Sequence, residues 1–543
     1  MDHCASVLLA FPPASELIDD EEYHKAAKLH IQKVERLIND NGTNFPVFAQ
    51  QLVNVRKTLF SYFVFSPYQI ANQLVALQIV HPAEHSISYL ALLTTLLQHR
   101  DAAQDPLLIQ QAEYVSDAVL LQLIATFLLT FDARQIRYVG IALSNLLLVV
   151  KEGQLFSVRH PHGNAHRSQD MKLTIPQPSI AVDLLTTALL RIDPTGSILT
   201  SHHLAVVTMA YVSDNIEKVL PLIEKTIVFY PGVKSIESRY PCDMTQSPVS
   251  YVTPESGLTT KLNSTMVLKY DLLVGMCFIQ RQSWPQAFEA LERVVTYPAK
   301  DYGCSKIMSE AYSKWLLVGL LLTGRTPTLP STTAQSAQKS YQTLGKPYIS
   351  ICKAFEGDSA EVLKTEYESL GNQFWAQDGN LGLIRLVVSH YQRWQIIDLH
   401  EVYSKISLEQ IRRRTQSAET GGHLPSEAAV EALVQTMIDE KMLDGVIEKP
   451  LEEGKPAHLT FLTTNDDLSE AEFANRMQVV AKSIEKLGPI VKATNERLAA
   501  NQDYLRYLGR EQKKEQANLN RNVGMSFDTI DDEDLMTGVI PGR

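Results

Sequence analysis

Between Ile396 and Leu462 the hydrophobic period changes from helical to alternating, and few small folds can bury both patterns together. Ile396, Ile397, Leu399, Val402 and Tyr403 recur at helical spacing. Ser407, with Gln410 three residues on, has the form of a capping box that restarts a helix at Leu408, with Leu408 and Ile411 on its apolar side. Ser426 after Pro425 is an N-cap signal for the next helix, where Val430, Leu433, Val434, Met437 and Ile438 make one stripe. Asp444-Gly445 is expected to stop that helix. Val446-Ile447 and Leu459-Thr460-Phe461 favour strands, and Pro450, Gly454 and Pro456 between them predict a short hairpin.

Three helices on a small sheet make a winged helix, spanning 396–465, whose core is expected to hold Leu408, Ile411, Leu433, Met437, Ile447 and Phe461. Such a module suggests DNA, because one helix can enter the major groove while Lys and Arg neutralise phosphates. The charge opposes that use: from Glu427 to Lys441 the helix carries Glu427, Glu431, Asp439 and Glu440 against Lys441 alone. Arg412, Arg413 and Arg414 form the only nearby basic cluster and read as a solvated helix end that complements its dipole or pairs with a partner carboxylate, with nucleic-acid contact the lesser alternative. A formal net charge of −11 argues in the same direction, away from nucleic acid and anionic membranes.

The second constraint is repetition. The tetrapeptide Leu-Leu-Val-Gly ends at both Gly275 and Gly319. After the first copy come Phe278, Trp284, Ala287, Leu291, Val294 and Pro298, the spacing of a tetratricopeptide-like helix pair. There Gly275 is expected to let two helices approach, Ala287 to fill their crossing, and Leu291 and Val294 to seal the outer face. An earlier pair is predicted from Leu204 to Val228, packing through Ala210, Tyr211, Val219 and Ile223. Stacked pairs bury their faces only against neighbours, so the expected fold is mainly α: a right-handed superhelix of such repeats running into the winged helix. N-terminal helical repeats are assigned to 1–150, with Leu90, Leu93, Leu97, Phe127 and Leu128 on broad apolar faces, and further repeats to 179–395. Polar, Gly- and Pro-rich stretches at 151–178 and 231–257 read as exposed insertions.

Beyond the winged helix, a long helix is predicted over 466–508. Met477, Ile484, Val491, Leu498 and Leu505 repeat every seven residues, and Val480, Leu487 and Leu508 fill the paired positions. A seam that narrow suits helices of other chains, with a helix folded back on its own domain as the alternative, and Gly488-Pro489 should kink or break it. Residues 509–543 read as a disordered acidic tail.

Helical repeats followed by ISLEQI, MIDEKMLDGVIEKP and LTF resemble the PCI domain family, shared by the proteasome lid, the signalosome and a translation initiation factor. Within it, RQSWPQAFEALERVVTYPA, SKIMSEAYSKWLLVGLLLTGRTPTLP and FWAQDGNLGLIRLVVSHYQRWQI are similar to the third-subunit family of the constitutive photomorphogenesis (COP) signalosome. The likeness spans roughly Tyr270 to Leu508, with an echo at Gln135–Tyr138. It implies a non-catalytic scaffold in a complex that removes the modifier Nedd8 from cullin-RING ubiquitin ligases, with other signalosome subunits as partners and both cytoplasmic and nuclear residence. The equivalent lid or initiation-factor subunit is the alternative, and a nucleic-acid-binding winged helix a more distant one.

The residues agree that no chemistry is housed here. The family's metalloprotease subunit needs HxH followed at fixed spacing by Ser and Asp, with zinc activating water. In the sole HxH, His160-Pro-His162, those positions hold Asp170 and Leu173. Walker A, GxSxG and HExxH patterns are absent, so no catalytic, cofactor or metal residues are assigned. Cys4, Cys242, Cys277, Cys304 and Cys352 are scattered without CxxC spacing, which fits a reducing compartment. The apolar run Val7–Phe11 is too short for a secretory signal, and no run is long enough to span a membrane.

Overall fold

The computed structural model describes residues 3–13, 19–41, 80–102, 117–152, 177–231, 240–298, 304–448, 457–462, 470–499 and 502–522. The chain divides into two compact units, one of residues 1–401 and 408–433, the other of residues 402–407 and 434–543. No described helix is long and apolar enough to cross a membrane.

The first unit is an array of helices. It opens with α1 (His3–Leu8), α2 (Asp20–Asn41), α3 (Ser86–Ala102), α4 (Asp117–Thr130), α5 (Ala133–Ile136) and α6 (Gly140–Glu152). Then follow α7 (Gln177–Ile192), α8 (Ser201–Val212), α9 (Ile216–Ile223), α10 (Pro248–Tyr251), α11 (Ser264–Gln280) and α12 (Trp284–Val295). The array continues through α13 (Lys306–Thr323), α14 (Gln335–Leu344), α15 (Lys346–Phe355), α16 (Ala360–Gln377) and α17 (Leu381–Asp398). Local chemistry sets many of these ends. Asn263 Oδ1 accepts from Met266 N at 2.8 Å and Ser305 Oγ from Met308 N at 3.2 Å, starting α11 and α13. At α8, Thr200 and His203 form a capping box, so the His202-His203 pair is a helix start rather than a ligand pair. Gly371 interrupts α16 at φ +72°, a conformation that costs glycine nothing.

The main core runs through this array from Leu8 to Ala418 and includes Trp315, Trp375, Tyr341 and Phe127, all essentially inaccessible, with a smaller cluster around Phe11, Tyr23 and Ile87 beside it in the N-terminal part. Gly275 faces α12, where an added Cβ would lie 3.0 Å from Leu291 Cγ, with Ala287 beneath it fully buried. Leu291 and Val294 do not seal an outer face: both are wholly inside, because α13 covers α12 on its far side. Gly319 departs from its twin, since its space is taken by the Pro327 ring and not by a following helix.

The predicted insertion at 231–257 is also corrected where it is described. Val249, Tyr251 and Val252 of residues 240–257 are buried, and Arg137 holds the segment by donating to Pro241 O (3.0 Å) and Asp243 O (2.7 Å) while lying over the Tyr251 ring. Polar composition suggested a loop, but its carbonyls serve an otherwise buried guanidinium. Residues 153–176 and the His160–His162 motif lie outside the described residues.

After α17 the chain makes a 3-10 turn over Leu399–Glu401, so Val402, expected on a helix face, is 75% exposed. The strand β1 (Lys405–Ser407), not read from the sequence, precedes α18 (Leu408–Arg414) and α19 (Glu427–Asp439). Ser426 Oγ accepts from Ala429 N at the start of α19. The helix stops before Asp444-Gly445: Lys441 takes φ +57°, with Met442 N donating to Met437 O and Lys441 N to Ile438 O, a Schellman closure without glycine. Then come β2 (Gly445–Glu448), β3 (His458–Phe461), α20 (Glu470–Ala499) and α21 (Gln502–Asn522). The predicted tail at 509 is therefore helical to Asn522, and α20 passes through Pro489 as one helix.

Candidate assembly surfaces

The sheet has the order β1-β3-β2, all antiparallel, with Ile406 opposite Leu459 and Gly445 opposite Phe461. Alternation divides its faces. Ile406, Leu459 and Phe461 are buried and Ile447 is half-buried, whereas Lys405, Glu448 and the 49% exposed Val446 look to solvent. Lys405 and Glu448 pair across the central strand, and Thr460 Oγ1 also donates to Glu448 at 3.0 Å, which together hold the Glu448 carboxyl below its ordinary range. Among the described residues both outer strands pair on one side only within this sheet, so β1 and β2 are its edge strands.

Of the remaining residues assigned to the winged-helix core, Leu408, Ile411 and Met437 are buried and Leu433 is half-buried. Val430, Val434 and Met437, at intervals of four and three, form the inward row of α19, and Leu433 flanks it. Glu409 takes both forks of Arg412, at 2.8 and 3.0 Å, and Arg413 at 2.8 Å, and these hydrogen bonds lower its carboxyl to about 2. Two of the three consecutive arginines are thus engaged within their own helix.

The C-terminal helices carry an extended row of exposed apolar side chains. Met477, Val480, Ile484, Leu487 and Val491 are between 48% and 65% exposed, Leu505 is 52% exposed, and Leu498 and Leu508 are half-buried. Phe473, 56% exposed, extends the row by one step, so that 473, 477, 480, 484, 487 and 491 alternate by four and three. Its position four residues before Met477 was the available signal. Val479 and Tyr507 widen the exposed apolar surface. Burying six such side chains would supply on the order of 10 kcal/mol, comparable with the association cost of roughly 4–15 kcal/mol, so a lasting complex needs more than one contacting helix.

Among the described residues no cluster of His, Cys, Asp and Glu could hold a metal. Cys277 and Cys352 are buried, and burial pushes both thiols up to about 12, far from a reactive thiolate. Asp271, also buried, is raised by desolvation but partly offset by Arg293 at 3.0 Å, which makes it a packing ion pair between α11 and α12.

Comparison with known proteins agrees with this arrangement. Residues 66–337 match the family described as COP9 signalosome complex subunit 3, N-terminal helical repeats. The chain is 42% identical over 550 residues to a Neurospora crassa protein named COP9 signalosome complex subunit 3, covering 99% of each. It is 31% identical to the protein of that name from Emericella nidulans, covering 66% of this chain and 68% of the relative. The Arabidopsis thaliana protein of that name is 27% identical over 262 residues, 48% of this chain and 56% of its own length. A repeat array, a winged-helix sheet and an unpartnered heptad helix, together with near full-length similarity, place this chain in the family of COP9 signalosome complex subunit 3 proteins.

Proposed function

We propose that the chain is a non-catalytic scaffold that anchors itself in the signalosome through α20 and α21, in a complex that removes Nedd8 from cullin-RING ubiquitin ligases. The exposed four-three row from Phe473 to Val491 carries this reading, because a helix this apolar on one side needs helices of other subunits to leave water. The edges of β1 and β2 offer a second contact, strand to strand with neighbouring winged helices, at little conformational cost. The acidic α19 and the Glu409-engaged arginines support a protein partner over a nucleic acid. Cullin-RING ligases would be met through the assembled complex, in cytoplasm and nucleus alike.

Purification of the tagged chain from its own cells tests this. Other signalosome subunits and cullin-deneddylating activity should co-purify. Replacing Ile484 and Leu487 together by Asp should release the chain with its helical content unchanged. Assembly that survives this double change would show that α20 is not the anchor, and recovery of the unmodified chain as a monomer would defeat the scaffold reading.

A further inference from the structure

We propose that the open groove between α6 and α8 seats an amphipathic helix of another protein, whose apolar side carries one carboxylate facing Lys151. The groove measures about 580 Å³ and lies within the repeat array, away from the C-terminal helices in sequence. From α6 it is lined by Ser144, Leu148 and Lys151, and from α8 by Ala205, Thr208 and Val212. Intervals of four and three on one helix and three and four on the other give each helix a row along the groove, which Met266 of α11 also lines, and such a groove accepts the ridge of a third helix.

Exposure marks the groove as incomplete. Val212 is 79% and Leu148 39% exposed, and Ile141 continues the α6 row at 65%. On the opposite side of α8, Val206, Val207 and Ala210 are at most 1% exposed, covered by the helices packed there. The array therefore buries its apolar rows with helices, and this row lacks one among the described residues. The trough is a firm surface, because Ser144 Oγ and the buried His202 Nε2 lie 3.0 Å apart in a bond between α6 and α8. Lys151 is the one charged residue of the lining and stands at the end of α6, so it selects a carboxylate on the incoming helix and disfavours a cation.

A photoreactive benzophenone amino acid placed at 212, and separately at 148, in the full-length chain within its own cells tests the proposal. Both positions are exposed enough to carry the probe, and circular dichroism checks the fold. Mass spectrometry should find adducts from both positions on one helix of a different protein, at residues three, four or seven apart, with Asp or Glu on that face. Lys151→Glu should lower the adduct yield about fivefold, and Lys151→Arg should retain it. The proposal is overturned by a yield no higher than from the exposed Leu344 on α14, by adducts within the chain or with a second copy, or by indifference to Lys151→Glu. Subunit co-purification is read separately, so loss of the adduct with the assembly intact would reject the groove alone.

Discussion

Gly275 and Gly319 end the same tetrapeptide, yet Gly→Ala should have different consequences at the two. In a helix interior the change gains about 0.5–1 kcal/mol, because alanine loses less backbone freedom on folding. At 275 the new methyl would sit 3.0 Å from Leu291 Cγ and Cδ2, a contact that a shift of a few tenths of an ångström relieves. Gain and strain nearly cancel there, so Gly275→Ala should lie within about 1 kcal/mol of the parent. At 319 the methyl would meet Pro327 Cγ at 2.5 Å and Cδ at 2.7 Å, against a preferred carbon separation of about 3.5–4.0 Å. A proline ring cannot rotate away, so the overpacking cost of about 1–3 kcal/mol outweighs the helix gain, for a net loss of about 1–2 kcal/mol. Hydrogen exchange of the α13 amides under native conditions reads this locally, without assuming that 543 residues unfold in one step. Pro327→Ala should recover most of the loss in the Gly319→Ala background, and the double-mutant cycle gives the coupling. Equal protection in both single variants, or a larger loss at 275, would refute the assignment of the two glycines to different neighbours.

His30 and His202 are each held by burial near 4, so they add stability above the unfolded value of about 6.5 that disappears as pH falls towards 4. Each should cost about 2 kcal/mol between pH 7.5 and 5, and denaturation at the two pH values, compared with His30→Gln, checks the sign. Val434→Asp places a carboxylate at a fully buried site and should unfold its unit, at about 4 kcal/mol or more, whereas Leu433→Asp can reach water and should cost about 1–2 kcal/mol; limited proteolysis of β2 and β3 separates them. Arg293→Met leaves buried Asp271 without its cation and should destabilise by about 2 kcal/mol, with Asp271→Asn restoring much of it in thermal melts.

Much of the exposed apolar row was legible because a heptad is a local pattern. Met477 to Val491 can be listed from spacing alone, and Phe473 was missed only because the seam was started one step late. Helix ends were harder. Three described helices close on left-handed residues that are not glycine, Asp214, Gln282 and Lys441, each followed by an amide bonding five residues back, to Ala210, Phe278 and Met437. Glycine is the usual residue for such a closure, yet Gly445 does not end α19 and instead opens β2 against the Leu459 side chain. Strand β1 escaped notice because three residues carry too little alternation, and its partner His458–Phe461 lies some fifty residues away.

By itself the sequence determined that the chain is mostly helical, that α11 and α12 pair through Gly275, Ala287 and Leu291, and that the last helices keep one apolar side, since each rests on contacts within a few turns of chain. Only the tertiary structure decided that Leu291 and Val294 face inward, that Gly319 meets Pro327, and that residues 240–257 are tied down by Arg137. It alone also shows which apolar rows stay in water: Leu148 and Val212 are no more conspicuous in sequence than Val206 or Val207, and differ because no described helix covers them. Burial depends on what distant parts of the chain bring alongside, and periodicity records only what a helix can present.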